Sequence, residues 1–318
     1  MTTSFLYLIG DIGATFSRLA LFNLKTKQIY GIKFFENKNF SHLEDLIEKF
    51  LTEVYNNIKL PAFGLLLGVA GPVIKNKVKI TNLGWNIDAE RLKKKFKFQR
   101  VILKNDLYLL AGAIERLKKE DLKQIKEGEE LKKYPKAFIS VGTGLGISFL
   151  ISKNPLKILP SEGGHSPLSF WEEKSFFHYL KERKKDFVWE EVLSGRGLEN
   201  LYEYYFGERK EAEKISEGAK KGQEKERFVI KKFFELLGRK CYEVAVMIEP
   251  FGGMYLAGGV IKALLEFLEE DEYKSSFLYN FYFSERLRNL LEALPIYAIS
   301  HPFPALLGAE TILRSLQK

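Results

Sequence analysis

Two short segments rich in glycine and threonine interrupt apolar sequence, and their residue types suit the binding of nucleotide phosphates. The first, GDIGAT, spans residues 10–15, and the second, GTGLG, spans residues 142–146. Glycine lets the backbone turn with positive φ and lets a bulky anion approach, while successive amide groups converge on its oxygens. The residues predicted to contact the nucleotide in these turns are Gly10, Asp11, Gly13, Ala14, Thr15, Gly142, Thr143 and Gly144.

The sequence on either side of each turn is typical of β-strands. Apolar residues at 5–9 and 18–24 flank the first turn, and those at 137–141 and 147–151 flank the second. A P-loop would need GK[ST] and a following helix, and a dinucleotide fingerprint would also open a helix. Each turn is therefore predicted to be the tip of a β-hairpin. One such turn alone would be interpreted as an ordinary glycine-rich turn, but two predict two related domains that face each other across a nucleotide.

A third glycine pair, Gly258 and Gly259, lies between a predicted strand at 254–257 and a predicted helix at 261–269. Flat glycine backbone at the start of a helix suits contact with an adenine ring. A plain turn between a strand and a helix is the alternative. The pair is therefore a candidate part of the nucleotide site.

The remaining hydrophobic pattern alternates strands and helices, which indicates an α/β protein. Helices are predicted at 43–54, 88–97, 107–117, 224–248 and 306–316. Asp88 is the predicted N-cap of the second of these helices, and Gly238 is a candidate interruption of the fourth. Further strands are predicted at 63–69, 77–81 and 101–103. The mixed-charge segment that ends at Pro135 is predicted to end in a surface loop.

Length and composition narrow the class of protein. At 318 residues, with 46% hydrophobic residues, the chain can form two α/β domains with a substantial core. No apolar stretch is long enough to cross a bilayer and no signal-peptide pattern is present, so a cytoplasmic location with no membrane partner is predicted. The net charge of +9 is spread over runs of both signs, which predicts no nucleic-acid partner. The single cysteine, Cys241, excludes an internal disulfide and is predicted to be buried.

Eight segments, in this order and spacing, resemble the bacterial ATP-dependent glucokinases of the actin-like, hexokinase-type ATPase superfamily. They are GDIGATFSRLAL at 10–21, GVAGPV at 68–73, TNLGW at 81–85, KND at 104–106, VGTGLG at 141–146, EGGH at 162–165, EEVLSG at 190–195 and YLAGG at 255–259. The resemblance implies a two-domain, actin-like (ribonuclease H-like) α/β fold with an interdomain cleft. The implied domains are a small one at 1–106 plus 304–318 and a large one at 107–303.

The resemblance also implies a reaction, in which the γ-phosphoryl group of ATP passes to the 6-hydroxyl of glucose with Mg²⁺ bridging the phosphates. Asp106 is then the general base, and Asp11 holds the magnesium ion. The implied sugar-binding residues are Asn82, Asn105, Asp106, Glu162, His165 and Glu190. These residue types agree with the chemistry, because a carboxylate can take the proton of an alcohol and can accept hydrogen bonds from neighbouring hydroxyls.

Other interpretations of these residues stay open. Asp106 could be the N-cap of the helix predicted after it, and Glu190 could be an exposed helix residue like its neighbour Glu191. His165 as a metal ligand is disfavoured, since the chain has only four His and no second one at ligand spacing. The first loop also departs from the family pattern, because Ala14 and Phe16 stand where Gly and Asn are usual.

The function has alternatives as well. One is a kinase of the same fold that acts on another hexose or uses another phosphoryl donor, and another is a non-catalytic ATP-binding protein of the actin-like superfamily. The repressor and kinase relatives with a cysteine-rich zinc motif are excluded by the lone Cys241. The oligomeric state stays open, with a homodimer as one candidate.

Overall fold

The computed structural model describes residues 5–55, 62–168 and 174–316. These residues form two compact units. The first draws on Met1–Lys118, Asn154–Ile158 and His301–Lys318, and the second on Lys119–Lys153 and Leu159–Ser300.

The first unit contains a five-stranded sheet. In chain order its strands are β1 (Leu6–Ile12), β2 (Phe16–Asn23), β3 (Gln28–Glu36), β4 (Gly64–Val69) and β7 (Arg100–Asn105). The spatial order is β3-β2-β1-β4-β7, antiparallel through the first three strands and parallel from β1 through β4 to β7. A separate pair joins β5 (Lys77–Ile80) to β6 (Trp85–Asp88). The helices are α1 (Leu43–Tyr55), α2 (Ala89–Phe96), α3 (Asp106–Gly112) and α11 (Pro304–Ser315).

Both faces of this sheet are buried at its central strands β1 and β4. Along β1, alternate side chains point to opposite faces, so Leu8 packs in one apolar cluster with residues of α1, and Ile9 packs in another with residues of α11. A strand buried on both faces reads as a continuous apolar run, which is why β1 and β4 were predictable from sequence. The predicted cap of α2 is confirmed, because Asp88 accepts hydrogen bonds from the amides of Glu90 and Arg91.

Helix α3 belongs to the first unit because it packs closely on α11. A Cβ placed on Gly308 of α11 would lie 1.6 Å from the carbonyl oxygen of Leu109, so only glycine permits this approach. The first compact unit runs to Lys118, whereas the domain boundary predicted from sequence lies at residue 106. Residues 317 and 318 of the predicted C-terminal segment lie outside the described residues.

A six-stranded sheet contributes most of its strands to the second unit. Its strands are β8 (Leu122–Lys126), β9 (Lys136–Val141), β10 (Leu145–Lys153), β11 (Leu156–Ser161), β12 (Met254–Ala257) and β13 (Ile296–Ile299), in the spatial order β11-β10-β9-β12-β13-β8. The helices are α4 (Lys174–Glu182), α5 (Gly195–Phe206), α6 (Ala212–Lys220), α7 (Glu224–Ile248), α8 (Gly259–Leu264), α9 (Asp271–Phe281) and α10 (Arg288–Ala293). The sequence pattern did not predict β8, which pairs antiparallel with β13 at the edge of the sheet.

Helix α7 runs without a break, so the interruption considered at Gly238 is wrong. Glycine is needed there for a different reason. A Cβ on Gly238 would lie 2.1 Å from the carbonyl oxygen of Phe277, which means that α7 and α9 touch backbone to backbone at this point. Cys241, one turn further on, is buried as predicted, and burial raises the pKa of its thiol.

Among the helices of the three described ranges, none has the length and apolarity required to cross a membrane.

Candidate active site

The first predicted phosphate turn is confirmed as the tip of a hairpin. Strand β1 ends at Ile12, β2 begins at Phe16, and the amide of Gly13 donates to the carbonyl oxygen of Phe16 at 3.1 Å. Gly10 serves packing rather than a turn, because a Cβ there would lie 2.4 Å from Cδ2 of Leu19. Neither glycine has a positive φ, so the expectation that this turn uses left-handed backbone is wrong.

Asp11 faces Arg18 across the hairpin, and the two side chains form an ion pair. Arg18 Nη1 lies 2.9 Å from Asp11 Oδ2, and the Asp11 side chain is 16% exposed. Burial raises the pKa of the Asp11 carboxyl, while the Arg18 guanidinium acts to lower it. Arg18 was not among the site residues predicted from sequence, although it lies opposite Asp11 in the register of the hairpin.

The residues around Asp11 fit a magnesium ion of the kind that nucleotides carry. Mg²⁺ usually takes one or two carboxylates, with the remaining ligands supplied by water and phosphate. Across residues 5–55, 62–168 and 174–316, no three His, Cys, Asp or Glu side chains form a group that could hold a metal ion. A single carboxylate such as Asp11 is thus compatible with magnesium that arrives with the phosphates, and a protein-only metal cage is not found in this part of the chain.

Asn37 stabilises the first turn through hydrogen bonds, and it was not predicted from sequence as a site residue. Its side-chain amide donates to the carbonyl oxygen of Gly13 at 2.8 Å, and its backbone amide donates to that of Thr15 at 2.9 Å. Ser17 Oγ donates to Asn37 Oδ1 at 2.6 Å, and both of these residues are buried. Phe16, which stands where the family usually has Asn, is 49% exposed.

Asn105 and Asp106 lie where β7 passes into α3. Asn105 is the N-cap, with Oδ1 accepting from the amide of Leu107 at 3.0 Å and Nδ2 donating to the carbonyl oxygen of Gly71 at 3.2 Å. Asp106 is the first residue of α3, and its Oδ1 also accepts from the amide of Leu107, at 2.9 Å. The capping role considered for Asp106 therefore falls to Asn105. Asn82 is exposed on the short 3-10 helix Thr81–Leu83 that follows β5.

In the second unit, Glu190 lies directly against the second predicted phosphate turn. The turn joins β9 to β10 and is confirmed as a hairpin, with the amide of Gly142 donating to the carbonyl oxygen of Gly144 at 2.9 Å. The amide of Leu145 donates to Glu190 Oε2 at 2.9 Å, and a Cβ on Gly144 would lie only 2.5 Å from the same oxygen. Glu190 is therefore a largely buried residue of the 3-10 helix Trp189–Glu191, with 18% of its side chain exposed, and not an exposed helix residue. Thr143 is exposed at the tip.

His165 lies beside Glu190. It ends the 3-10 helix Gly163–His165, and its Nε2 is 3.9 Å from Glu190 Oε2. Arg196 Nη2 is 3.2 Å from the other oxygen, Glu190 Oε1. Glu162 is exposed just before the helix, and its carbonyl oxygen accepts from the amide of His165 at 2.9 Å. An open cavity of about 280 Å³ adjoins these residues, lined by His165, Lys184, Lys185, Asp186, Val188, Glu190, Glu191 and Arg196.

The glycine pair 258 and 259 lies next to the second turn. Strands β9 and β12 are parallel neighbours, with Ala257 opposite Ser140, so both chains leave the sheet at the same edge. Gly258 has φ 98°, and a Cβ on it would lie 2.2 Å from the carbonyl oxygen of Val141, so this position requires glycine. The structure thus brings together the second turn, the glycine pair, Glu190 and His165.

These features define a class of protein. Two α/β units, each with a hairpin that carries a Gly/Thr turn, make the actin-like, hexokinase-type fold. A crystal structure of glucokinase from an Antarctic psychrotroph has a TM-score of 0.79 and 26% identity, over 97% of this chain and 98% of that chain. The glucose complex of a Balamuthia mandrillaris glucokinase has the same fold, with a TM-score of 0.83 and 21% identity over 97% and 93% of the two chains.

The sequence comparisons identify the family. The family model for glucokinase matches residues 8–316. A glucokinase of Photorhabdus laumondii subsp. laumondii is 32% identical over 96% of this chain and 96% of its own length. The chain therefore belongs to the glucokinase family, as its resemblance to that family predicted.

Proposed function

We propose that this protein transfers the γ-phosphoryl group of ATP to the 6-hydroxyl of glucose, giving glucose 6-phosphate and ADP. Family membership supports the class, an ATP-dependent hexokinase-type phosphotransferase. The observation that carries the proposal within the structure is the contact between Glu190 and the amide of Leu145 at 2.9 Å, because it joins a candidate sugar ligand to a candidate phosphate turn. ATP as the donor agrees with the cytoplasmic location predicted from sequence.

The groups proposed to bind the sugar can form hydrogen bonds with the hydroxyls of a polyol. Glu190 and His165 offer a carboxylate and an imidazole on two neighbouring 3-10 helices, and Glu162 adds a carboxylate at the residue before the helix that carries His165. In the first unit, Asn105 and Asn82 add amide groups, which both donate and accept. A site built to pair hydroxyl groups rejects analogues that lack them by up to about 10⁴-fold, because its buried polar groups are then left unpaired.

Asp106 is the proposed general base. It takes the proton of the sugar hydroxyl while that oxygen forms a bond to the γ-phosphorus, and the bond from this phosphorus to the bridging oxygen breaks to release ADP. General-base catalysis of this kind contributes about 10²- to 10⁴-fold in rate. Most of the remaining catalysis in phosphoryl transfer comes from alignment and charge stabilisation.

The nucleotide is assigned to the two Gly/Thr turns and to the glycine pair. Residues 10–15 and 142–144 present backbone amides and the hydroxyls of Thr15 and Thr143 to the phosphates, and Gly258 and Gly259 lie against the adenine. Asp11, held by Arg18, would bind Mg²⁺ through its water shell. A bound magnesium ion would neutralise part of the negative charge of the phosphates.

The test is a coupled assay of ADP formation with MgATP across glucose, mannose and fructose. Glucose is expected to give the highest kcat/KM, and Asp106→Asn should lower kcat by about 10²- to 10⁴-fold with little change in the KM for glucose. Asp271→Asn is the matched control, since Asp271 is also the first residue of a helix and is exposed. No glucose-dependent ADP from the wild type would refute the reaction. Full activity of Asp106→Asn would favour a different base, whereas ADP formation that does not depend on sugar in either protein would favour the non-catalytic alternative.

A further inference from the structure

Lys240 on α7 carries a buried ammonium group to which the proposed reaction gives no role. Its side chain is 2% exposed. Nζ lies 2.9 Å from Ser166 Oγ and 3.2 Å from Glu243 Oε2, and it stands 5.2 Å from the centre of the Trp189 ring. Burial lowers the pKa of Lys240, and the Glu243 carboxylate acts in the opposite direction. A buried charge is costly unless it is paired, so the position of this lysine depends on these partners.

In the hydrogen bond between Lys240 and Ser166, the donor and the acceptor are fixed by chemistry. A lysine ammonium has three N–H donors and no acceptor, so Ser166 Oγ must accept from Lys240. The hydroxyl hydrogen of Ser166 is then free to point elsewhere, and Ser166 Oγ donates to the carbonyl oxygen of Gly163 at 2.8 Å. The chain of hydrogen bonds from Lys240 through Ser166 to Gly163 therefore fixes the 3-10 helix Gly163–His165.

Ser166 also connects the two segments that carry the candidate sugar ligands. Its carbonyl oxygen accepts from the amide of Trp189 at 3.2 Å. His165 precedes Ser166 in the chain and Glu190 follows Trp189, so this one bond ties the backbones of both residues together. The side chains of these two residues are also close, with 3.9 Å between His165 Nε2 and Glu190 Oε2. Lys240 contacts both sides of the bond, through the Ser166 hydroxyl and the Trp189 ring.

We propose that Lys240 is a positioning residue of the sugar site, which holds His165 and Glu190 at the spacing the acceptor requires by fixing Ser166 and Trp189. This inference rests on the proposed function, because it assumes that His165 and Glu190 bind the sugar. Lys240 itself does not touch the substrate. Its effect should therefore be confined to the affinity for the acceptor.

Lys240→Met tests the proposal, because methionine fills a similar volume without the ammonium group. A displacement of about 1 Å in a binding group can cost up to about 10²-fold, so we expect the KM for glucose to rise between about 10- and 100-fold. The KM for ATP should stay within about two-fold, since the change removes binding of the acceptor only. Lys231→Met is the matched control: Lys231 lies on the same helix, 3.1 Å from Glu272, at the surface. It should leave both KM values unchanged.

Ser166→Ala is a second variant, which tests whether Lys240 acts through the Ser166 hydroxyl. It should raise the KM for glucose by a factor similar to that of Lys240→Met, and the double variant should be no worse than either single one, because both changes break the same chain of hydrogen bonds. Thermal unfolding of each variant confirms that the protein assayed is folded. An unchanged KM for glucose in either folded variant, an equal rise in the KM for ATP, or additive effects in the double variant would overturn the proposal. An inactive wild type in the same assay would instead refute the proposed function.

Discussion

The close approach of Gly144 to Glu190 makes a sharp prediction about Gly144→Ala. A Cβ at this position would lie 2.5 Å from Glu190 Oε2, whereas Cβ atoms do not approach other atoms within 3.0 Å. The carboxylate must therefore move by at least about 0.5 Å, the difference between these two distances. Such a shift lengthens or breaks the bond of 2.9 Å between Leu145 N and Glu190 Oε2.

The size of the effect follows from that bond. A hydrogen bond to a charged group is worth about 1.5 to 3 kcal/mol, which corresponds to about 10- to 100-fold in an equilibrium constant. Because Glu190 is a proposed sugar ligand, we expect the KM for glucose to rise within this range. The fold should be preserved, since Gly144 does not have a positive φ and the atom that must move is the end of a flexible side chain.

Steady-state kinetics with glucose and with ATP, combined with thermal unfolding, measure these expectations. Gly142→Ala is the matched control in the same turn, because its Cβ would meet Gly259 N at an ordinary distance of 3.9 Å. It should leave the KM for glucose within about two-fold. A folded Gly144→Ala variant that binds glucose as tightly as the wild type would refute the assignment of Glu190 to the sugar.

Two further predictions concern stability. Gly238→Ala should lower the free energy of unfolding by about 1 to 2 kcal/mol, because its Cβ would lie 2.1 Å from the carbonyl oxygen of Phe277 and must push α7 from α9; an unchanged urea midpoint would contradict this close packing. Burial lowers the pKa of Lys126 to about 8, so the folded protein releases this proton at a lower pH than the unfolded chain does. The stability of the wild type relative to Lys126→Met should therefore rise between about pH 8 and pH 10, by at most about 1.4 kcal/mol per pH unit, and urea unfolding at the two ends of this interval measures it.

Sequence reasoning succeeded where the determining signals are local. Both Gly/Thr hairpins, the long helix α7 and the cap at Asp88 depend on residues within one element or its immediate neighbours. The glycines of the turns were predicted for a partly wrong reason, because Gly10 and Gly144 allow the close approach of the Leu19 and Glu190 side chains and do not have a positive φ.

The elements that sequence reasoning missed depend on contacts between distant parts of the chain. Strand β8 reads LKQIK, a polar sequence without a clear alternation, and it becomes a strand only by pairing with β13 about 170 residues later. The ammonium group of Lys126 donates there to three carbonyl oxygens, those of Glu127, Glu292 and Leu294. A lysine in the sequence offers no sign that such a set of acceptors will surround it.

Glu190 can contact the second turn and bind the sugar at the same time. A carboxylate has about four acceptor positions, and the amide of Leu145 and the guanidinium of Arg196 each take one of them. The acceptor positions that remain can bind sugar hydroxyls without loss of the hydrogen bond between Leu145 and Glu190. The sugar can therefore bind to Glu190 while the contact with Leu145 is kept, so a change in sugar affinity does not require a change in the turn at residues 142–144.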